Sequence, residues 1–171
     1  SGNTATVAQW QTALQSVQYS NSSENPSVLA RTVSYTVNDS ALNSNTQTST
    51  VTVTAVNDAS VLNADTNSTN EDVALSVPAL SGVLSNDSDV DNTLSVTSFQ
   101  IAGDATVYAA GTAATIAGKG TLTIFGLGGY VFTPALNYNG AVPVATYTTN
   151  TGSTSTLTLT VTAVNATPII T

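Results

Sequence analysis

Thr50-Val51-Thr52-Val53-Thr54-Ala55-Val56-Asn57-Asp58 returns later in the chain as Thr158-Leu159-Thr160-Val161-Thr162-Ala163-Val164-Asn165-Ala166. Both copies alternate apolar residues with threonine. A period of two lays every second side chain on one face, so each copy reads as a strand with one face buried. Each closes on a short break containing asparagine. A terminal strand repeated at the interval of one small β domain describes two similar modules joined end to end. The boundary falls near 59–62, dividing the chain into residues 1–60 and 61–171.

Outward from the second copy, candidate strands lie at 73–78, 94–101, 105–108, 121–125, 130–133, 142–148 and 155–164. Gly, Asn, Asp and Pro clusters separate them, the usual punctuation of all-β chains. Seven short strands fit a complete Ig-like β-sandwich. Tyr130, Phe132 and Tyr138 read as its core or corner residues.

The first copy closes a shorter series. Thr6-Val7-Ala8-Gln9 has the spacing of a capping box. Val7, Trp10, Leu14 and Val17 follow at helical spacing, so 6–16 reads as one amphipathic helix with Trp10 on its apolar stripe. Strands are expected at 16–20, 31–38 and 46–56, with Val33, Tyr35 and Val37 sharing a face. A helix and three strands bury little surface and leave sheet edges open. The fold class is therefore all-β: tandem Ig-like sandwiches, the first incomplete and carrying one short helix.

Composition narrows the chemistry. The 171 residues include no His and no Cys, and the bases are Arg31 and Lys119 alone. Without His or Cys, triads of the Ser-His-Asp or Cys-His kind and the common zinc sites have no ligands. Lys119 lies in Gly118-Lys119-Gly120, an exposed turn by its glycines, so the chain is expected not to be an enzyme. Arg31 is expected to pair with Glu24 or Asp39. Ten acids against two bases give a net charge of −8. That charge argues against nucleic acid and anionic lipid surfaces, both of which demand Lys and Arg. No apolar run is long enough to span a bilayer, and no basic region precedes an apolar one as in a leader peptide. The chain reads as an interior piece of a longer polypeptide. Only 7% of residues are charged, beside abundant Thr, Ser, Asn, Val and Ala, which suits a secreted β-repeat protein.

The partner left for an acidic, sulfur-free chain is a hard cation. Asp87, Asp89 and Asp91 stand at alternate positions, which in an extended loop turns three carboxylates to one side. This is not an EF-hand loop, since Asn92 takes the glycine position and Ser98 the glutamate position. Asn57 and Asp58 in the linker, and Glu71 and Asp72 at the start of the second module, are expected at the same pole as the triplet. Carboxylates so gathered repel unless a cation neutralises them. Calcium at that junction is therefore expected, against the plainer reading of a solvated acidic turn. Asp39, Asp65 and Asp104 are weaker candidates. Trp10 and the tyrosines could stack on sugars, but Trp10 on an apolar stripe suits core packing better. Asn21-Ser22-Ser23 and Asn67-Ser68-Thr69 match a glycosylation sequon, as chance allows in a Ser/Thr-rich chain.

Several of these stretches together resemble a known family. The run from Gly2 to Asn21, Asn25-Pro26-Ser27, and Arg31-Thr32-Val33-Ser34-Tyr35-Thr36-Val37-Asn38-Asp39 resemble the C-terminal half of cadherin-like repeats in giant bacterial adhesins, including the RTX type. Residues 62–171 resemble the related VCBS or bacterial Ig-like repeats. The resemblance there rests on Asn70-Glu71-Asp72, Leu84-Ser85-Asn86-Asp87-Ser88-Asp89-Val90-Asp91, Tyr130-Val131-Phe132-Thr133-Pro134 and Asn137-Tyr138-Asn139-Gly140. The resemblance implies an extracellular spacer at the bacterial cell surface that binds calcium at module junctions and takes part in adhesion and biofilm formation. It also implies neighbouring Ig-like modules of the same polypeptide as partners. Ala166 replaces the closing aspartate of the pattern, so weaker calcium binding is expected at that junction. The half-module implies that other strands, from the parent polypeptide or a second chain, complete it.

Three functions compete. The first is an extender rigidified by calcium between modules. The second is a self-assembling fibre or matrix subunit that completes its half-sandwich by strand exchange. The third is an adhesive module recognising carbohydrate or peptide, for which the sequence shows no cleft.

Overall fold

A computed structural model describes residues 5–38 and 41–165. The chain divides into two compact units, Ser1–Asn57 and Asp58–Thr171. The expectations resting on Asp39 and Ala166 lie outside the described residues.

In the first unit, helix α1 spans Val7–Gln15. Its capping box forms: the Gln9 N–H donates to Thr6 Oγ1 at 3.3 Å and the Thr6 N–H to Gln9 Oε1 at 2.7 Å. These bonds satisfy backbone donors that the first turn leaves unpaired. No residue of the helix is buried. Trp10 is half-buried beside Val37 and Leu42 rather than enclosed in a core. Strands β1 (Arg31–Tyr35) and β2 (Gln47–Val51) pair antiparallel, from Arg31 opposite Val51 to Tyr35 opposite Gln47. The expected strand at 16–20 is absent, and β2 stops at Val51 instead of 56. Alternation prepares a strand, but a ladder needs a neighbour, and β1 begins at Arg31, opposite Val51. Arg31 does not pair with Glu24. Its Nη1 donates to the Ser27 and Leu29 carbonyls at 3.0 Å each, and its guanidinium lies 5.4 Å from the centre of the Tyr19 ring.

The second unit is a β-sandwich. One sheet contains β3 (Asp65–Asn70), β5 (Val96–Ile101), β6 (Val107–Ala109), β10 (Gly140–Ala141), β11 (Ala145–Thr149) and β12 (Thr154–Thr162), in the order β10-β12-β11-β5-β6 with β3 parallel to β12. The other runs β4-β9-β8-β7, from β4 (Leu75–Val77), β7 (Ala114–Ile116), β8 (Gly120–Ile124) and β9 (Tyr130–Pro134). The core forms where their apolar faces meet. Phe99, Tyr147 and Leu157 from the first sheet and Leu122, Ile124 and Phe132 from the second are fully buried. Along β12, Leu157, Leu159 and Val161 point inward, as the threonine alternation requires. Tyr130 is buried as expected, and Tyr138 packs partly buried against the core.

All seven expected strands of this unit exist within a few residues of their expected bounds. Three more were not expected: β3, β7 and the two-residue β10. Strand β3 reads Asp-Thr-Asn-Ser-Thr-Asn and has no apolar alternation. It is a strand because β12 offers it a six-residue parallel ladder. Lys119 is not a freely exposed turn residue. It is half-buried, with its ammonium over the Tyr138 ring at 4.8 Å and donating to the Tyr138 hydroxyl at 3.1 Å.

Candidate calcium site

The three alternate aspartates lie beside the segment that leads into β3. Val61 and Ser88 form a two-bond backbone bridge, which sets the 58–63 segment antiparallel to the 86–92 loop. Around that bridge each carboxylate meets a different donor. The Asn63 N–H donates to Asp87 Oδ1 at 2.7 Å, the Ser60 hydroxyl to Asp89 Oδ2 at 2.6 Å, and the Asp58 N–H to Asp91 Oδ2 at 2.6 Å. Asp89 Oδ1 also accepts the Asp91 and Asn92 N–H groups and the Asn92 side-chain amide. The Ser60 hydroxyl, ahead of the Asn92 and Asp91 N–H groups, holds the Asp89 carboxyl below the usual range. Asp91 and Asp87 are thus two ends of a lacing, with Asp89 at its middle.

Behind the loop lies a second acidic contact. The Tyr147 hydroxyl donates to Asp87 Oδ2 at 2.7 Å, with the Val83 carbonyl at 3.0 Å and Asp65 Oδ2 at 3.5 Å. Burial, then the hydrogen bond to Asp87, pushes the Tyr147 phenol up. Burial first, then the charge of Asp87, raises the Asp65 carboxyl to about 6 from an ordinary value of 3.8, against the opposing hydrogen bonds of Tyr147 and Asn86. A raised acid pKa means the folded state holds the proton more tightly than the unfolded chain. Stability therefore rises as pH falls from about 6 towards about 4, and the gain is absent above that window. The thermal midpoint of the second unit is expected to be higher at pH 5 than at pH 7.5. Asp65→Asn should flatten that dependence; an unchanged slope in the variant would exclude Asp65 as its source.

Glu71 and Asp72 are not at this pole. Because β3 runs parallel to β12, from Asp65 opposite Leu157 to Asn70 opposite Thr162, Glu71 follows the far end of the strand. Six residues at roughly 3.3 Å each separate the two acidic groups by about 20 Å. There, Glu71 Oε1 accepts the Val164 N–H at 2.6 Å and Oε2 the Asn139 amide at 3.2 Å. Asp72, with φ +63°, accepts the Asn137 N–H at 2.8 Å. The expectation of one shared pole is corrected by strand direction, which short-range pattern does not encode. Asn57 closes the first unit and Asp58 opens the second. Asp104 serves a turn: it accepts the Thr106 N–H at 2.8 Å and the Tyr108 hydroxyl at 2.7 Å.

Calcium takes about six to eight oxygen ligands. Among the described residues no three acids gather into a group able to hold a metal. Both oxygens of Asp89 and both of Asp87 accept N–H or O–H groups. As placed, the acids of this unit are engaged by hydrogen-bond donors and not gathered three or more around one point. The residues that pattern reading overlooked are the donors Ser60, Asn63, Asn92 and Tyr147. Their one signal was spacing: 58, 60 and 63 run opposite to 91, 89 and 87.

No helix among the described residues is long and apolar enough to cross a membrane. No curated protein and no solved structure matches the chain. The family model described as "Bacterial cadherin-like domain" matches residues 57–164. That span covers the sandwich and most of the chain, from the residue before Asp58 to the Val164 held by Glu71. The chain belongs to the bacterial cadherin-like domain family.

Proposed function

We propose that this chain is an extracellular structural module of an adhesin-type bacterial surface protein, a spacer that performs no chemistry. One observation carries the reading. The polypeptide enters the second unit at one pole and leaves at the opposite one, and carboxylates hold it at both: Asp87, Asp89 and Asp91 at the first, Glu71 at the second. Such a unit transmits length through its parallel β3–β12 pair. Neighbouring modules of the same polypeptide are its natural partners. Concatemers of two, three and four copies of the chain are expected to gain maximum dimension in equal steps by small-angle scattering. A cube-root increase, as for a collapsing globule, would sink the spacer reading. Its calcium-stiffened form, which the resemblance implies, requires an ion at these carboxylates, and the titration below separates the two.

A second reading, the strand-sharing subunit, draws on the first unit. Aligning Asn57 with Asn165 places Gln47 on Ser155. Tyr35, opposite Gln47, then corresponds to Tyr147, opposite Ser155. Tyr147 is fully buried because β5 pairs with the other side of β11, setting Phe99 beside it. Beside β1 no such strand stands among the described residues, and Tyr35 stays half-exposed. The strand this edge fits is antiparallel and apolar at alternate positions. Light scattering that returns a monomer mass across a wide concentration range would remove exchange between chains.

A further inference from the structure

We propose that the Asp87–Asp91 loop is a calcium-independent clasp: its three carboxylates hold residues 58–63 directly and so fix the path of the chain into the second unit. This deepens the spacer reading and rests on it for its purpose, but it can fail separately. The spacer is tested by length, the clasp by local opening.

The lacing is ordered. Residues 58, 60 and 63 meet Asp91, Asp89 and Asp87 in reverse sequence, with the Val61–Ser88 bridge between the last two contacts. An acid at every second position is what an antiparallel partner segment demands, since alternate side chains of an extended run face the same way. The triplet that resembles a calcium motif thus has a different use. Each of its carboxylates is stabilised by N–H and O–H donors, and charge-assisted bonding makes such contacts short and strong. The geometry agrees, at 2.6 to 2.7 Å for all three contacts to the 58–63 segment. Ser60 extends the clasp sideways: its hydroxyl also lies 2.7 Å from Thr151 Oγ1, which is 2.9 Å from Thr149 Oγ1 on β11. The held segment is therefore tied into the sheet as well as to the loop.

Amide hydrogen exchange on the full chain, read residue by residue by NMR in chelator and in millimolar calcium chloride, tests it. The Asp58, Val61 and Asn63 amides are expected to exchange at the same rates in both buffers. Asp91→Ala, which removes the acceptor of the Asp58 N–H, should speed exchange at Asp58 by roughly tenfold to a hundredfold, the effect of losing one hydrogen bond to a charged group. Amides of β8 and β9 should not change. Asp89→Ala should speed both Asp58 and Val61; if that variant fails to fold, the Asp91 variant still decides. Calorimetry with calcium chloride should give no binding heat. The proposal is overturned if chelator alone accelerates those three amides, if calcium binds and Asp91→Ala abolishes the binding, or if Asp91→Ala leaves exchange at Asp58 unchanged.

Discussion

Tyr147→Ala is expected to destabilise the second unit by about 3–5 kcal/mol, the range for emptying a large aromatic site from a close-packed core. Tyr147 is among the largest fully buried side chains, between Phe99 on β5 and Ser155 on β12. Tyr147→Phe keeps the ring and removes only the hydroxyl. That removes the donor to the Val83 carbonyl and to Asp87 Oδ2, at a cost of about 1–3 kcal/mol. The Phe variant should lose more at pH 7.5 than at pH 5, where protonation of Asp65 relieves its repulsion from Asp87. Urea unfolding followed by circular dichroism measures all three proteins. Tryptophan fluorescence would not serve, because Trp10 is the sole tryptophan and belongs to the first unit. A Phe variant as damaged as the Ala variant would show that the hydroxyl, not the ring, dominates the site.

Gly120→Ala is the second large effect. Gly120 opens β8 with φ +146°, backbone that L side chains rarely adopt. A Cβ there would stand 2.3 Å from the Thr133 carbonyl oxygen and 3.0 Å from Pro134 Cα. Those atoms belong to β9, whose ladder with β8 includes the Gly120–Pro134 pair, so they cannot withdraw without breaking it. Backbone strain and overpacking each contribute about 1–3 kcal/mol, so a loss of roughly 3 kcal/mol or more is expected. Gly118→Ala is the control. Its φ is +69°, but nothing stands within 4 Å of the added carbon, so only about 1 kcal/mol of backbone preference is at stake. Equal losses in the two variants would show that the close approach of β9 contributes nothing.

Both effects belong to the core, and the function proposed for the chain depends on them indirectly. A spacer has to keep its two poles apart under load. The strands that separate them, β3 and β12, are held by ladder bonds, and β12 adds the three inward residues Leu157, Leu159 and Val161. The clasp and the Glu71 contact act at the ends, where loss of one carboxylate contact is expected to loosen a segment more than the sandwich core. Stability and linker order are therefore separable, and the substitutions above are divided along that line.

Sequence alone determined which residues are strand-forming and which side of each strand is apolar. The threonine alternation of β12, the Tyr-Val-Phe run of β9 and the capping box of α1 are short-range patterns, and local sterics and burial make them readable without a partner. The repeat pointed to a boundary near 59–62, while the contacts divide the chain between Asn57 and Asp58, and the absence of His and Cys leaves triads of the Ser-His-Asp or Cys-His kind without ligands. Tertiary structure decided what neighbours do. Asp-Thr-Asn-Ser-Thr-Asn becomes β3 only against β12, and β2 stops at Val51, opposite the first residue of β1. It also decided where the acids stand. Seven candidate ligands were expected at one pole, yet parallel pairing carries Glu71 and Asp72 to the far pole, and antiparallel lacing sets Asp87, Asp89 and Asp91 against hydrogen-bond donors of the 58–63 segment. Alternation records which face of a strand is buried; it does not record strand direction or the partner across a loop, because both are set by contacts between residues distant in the chain.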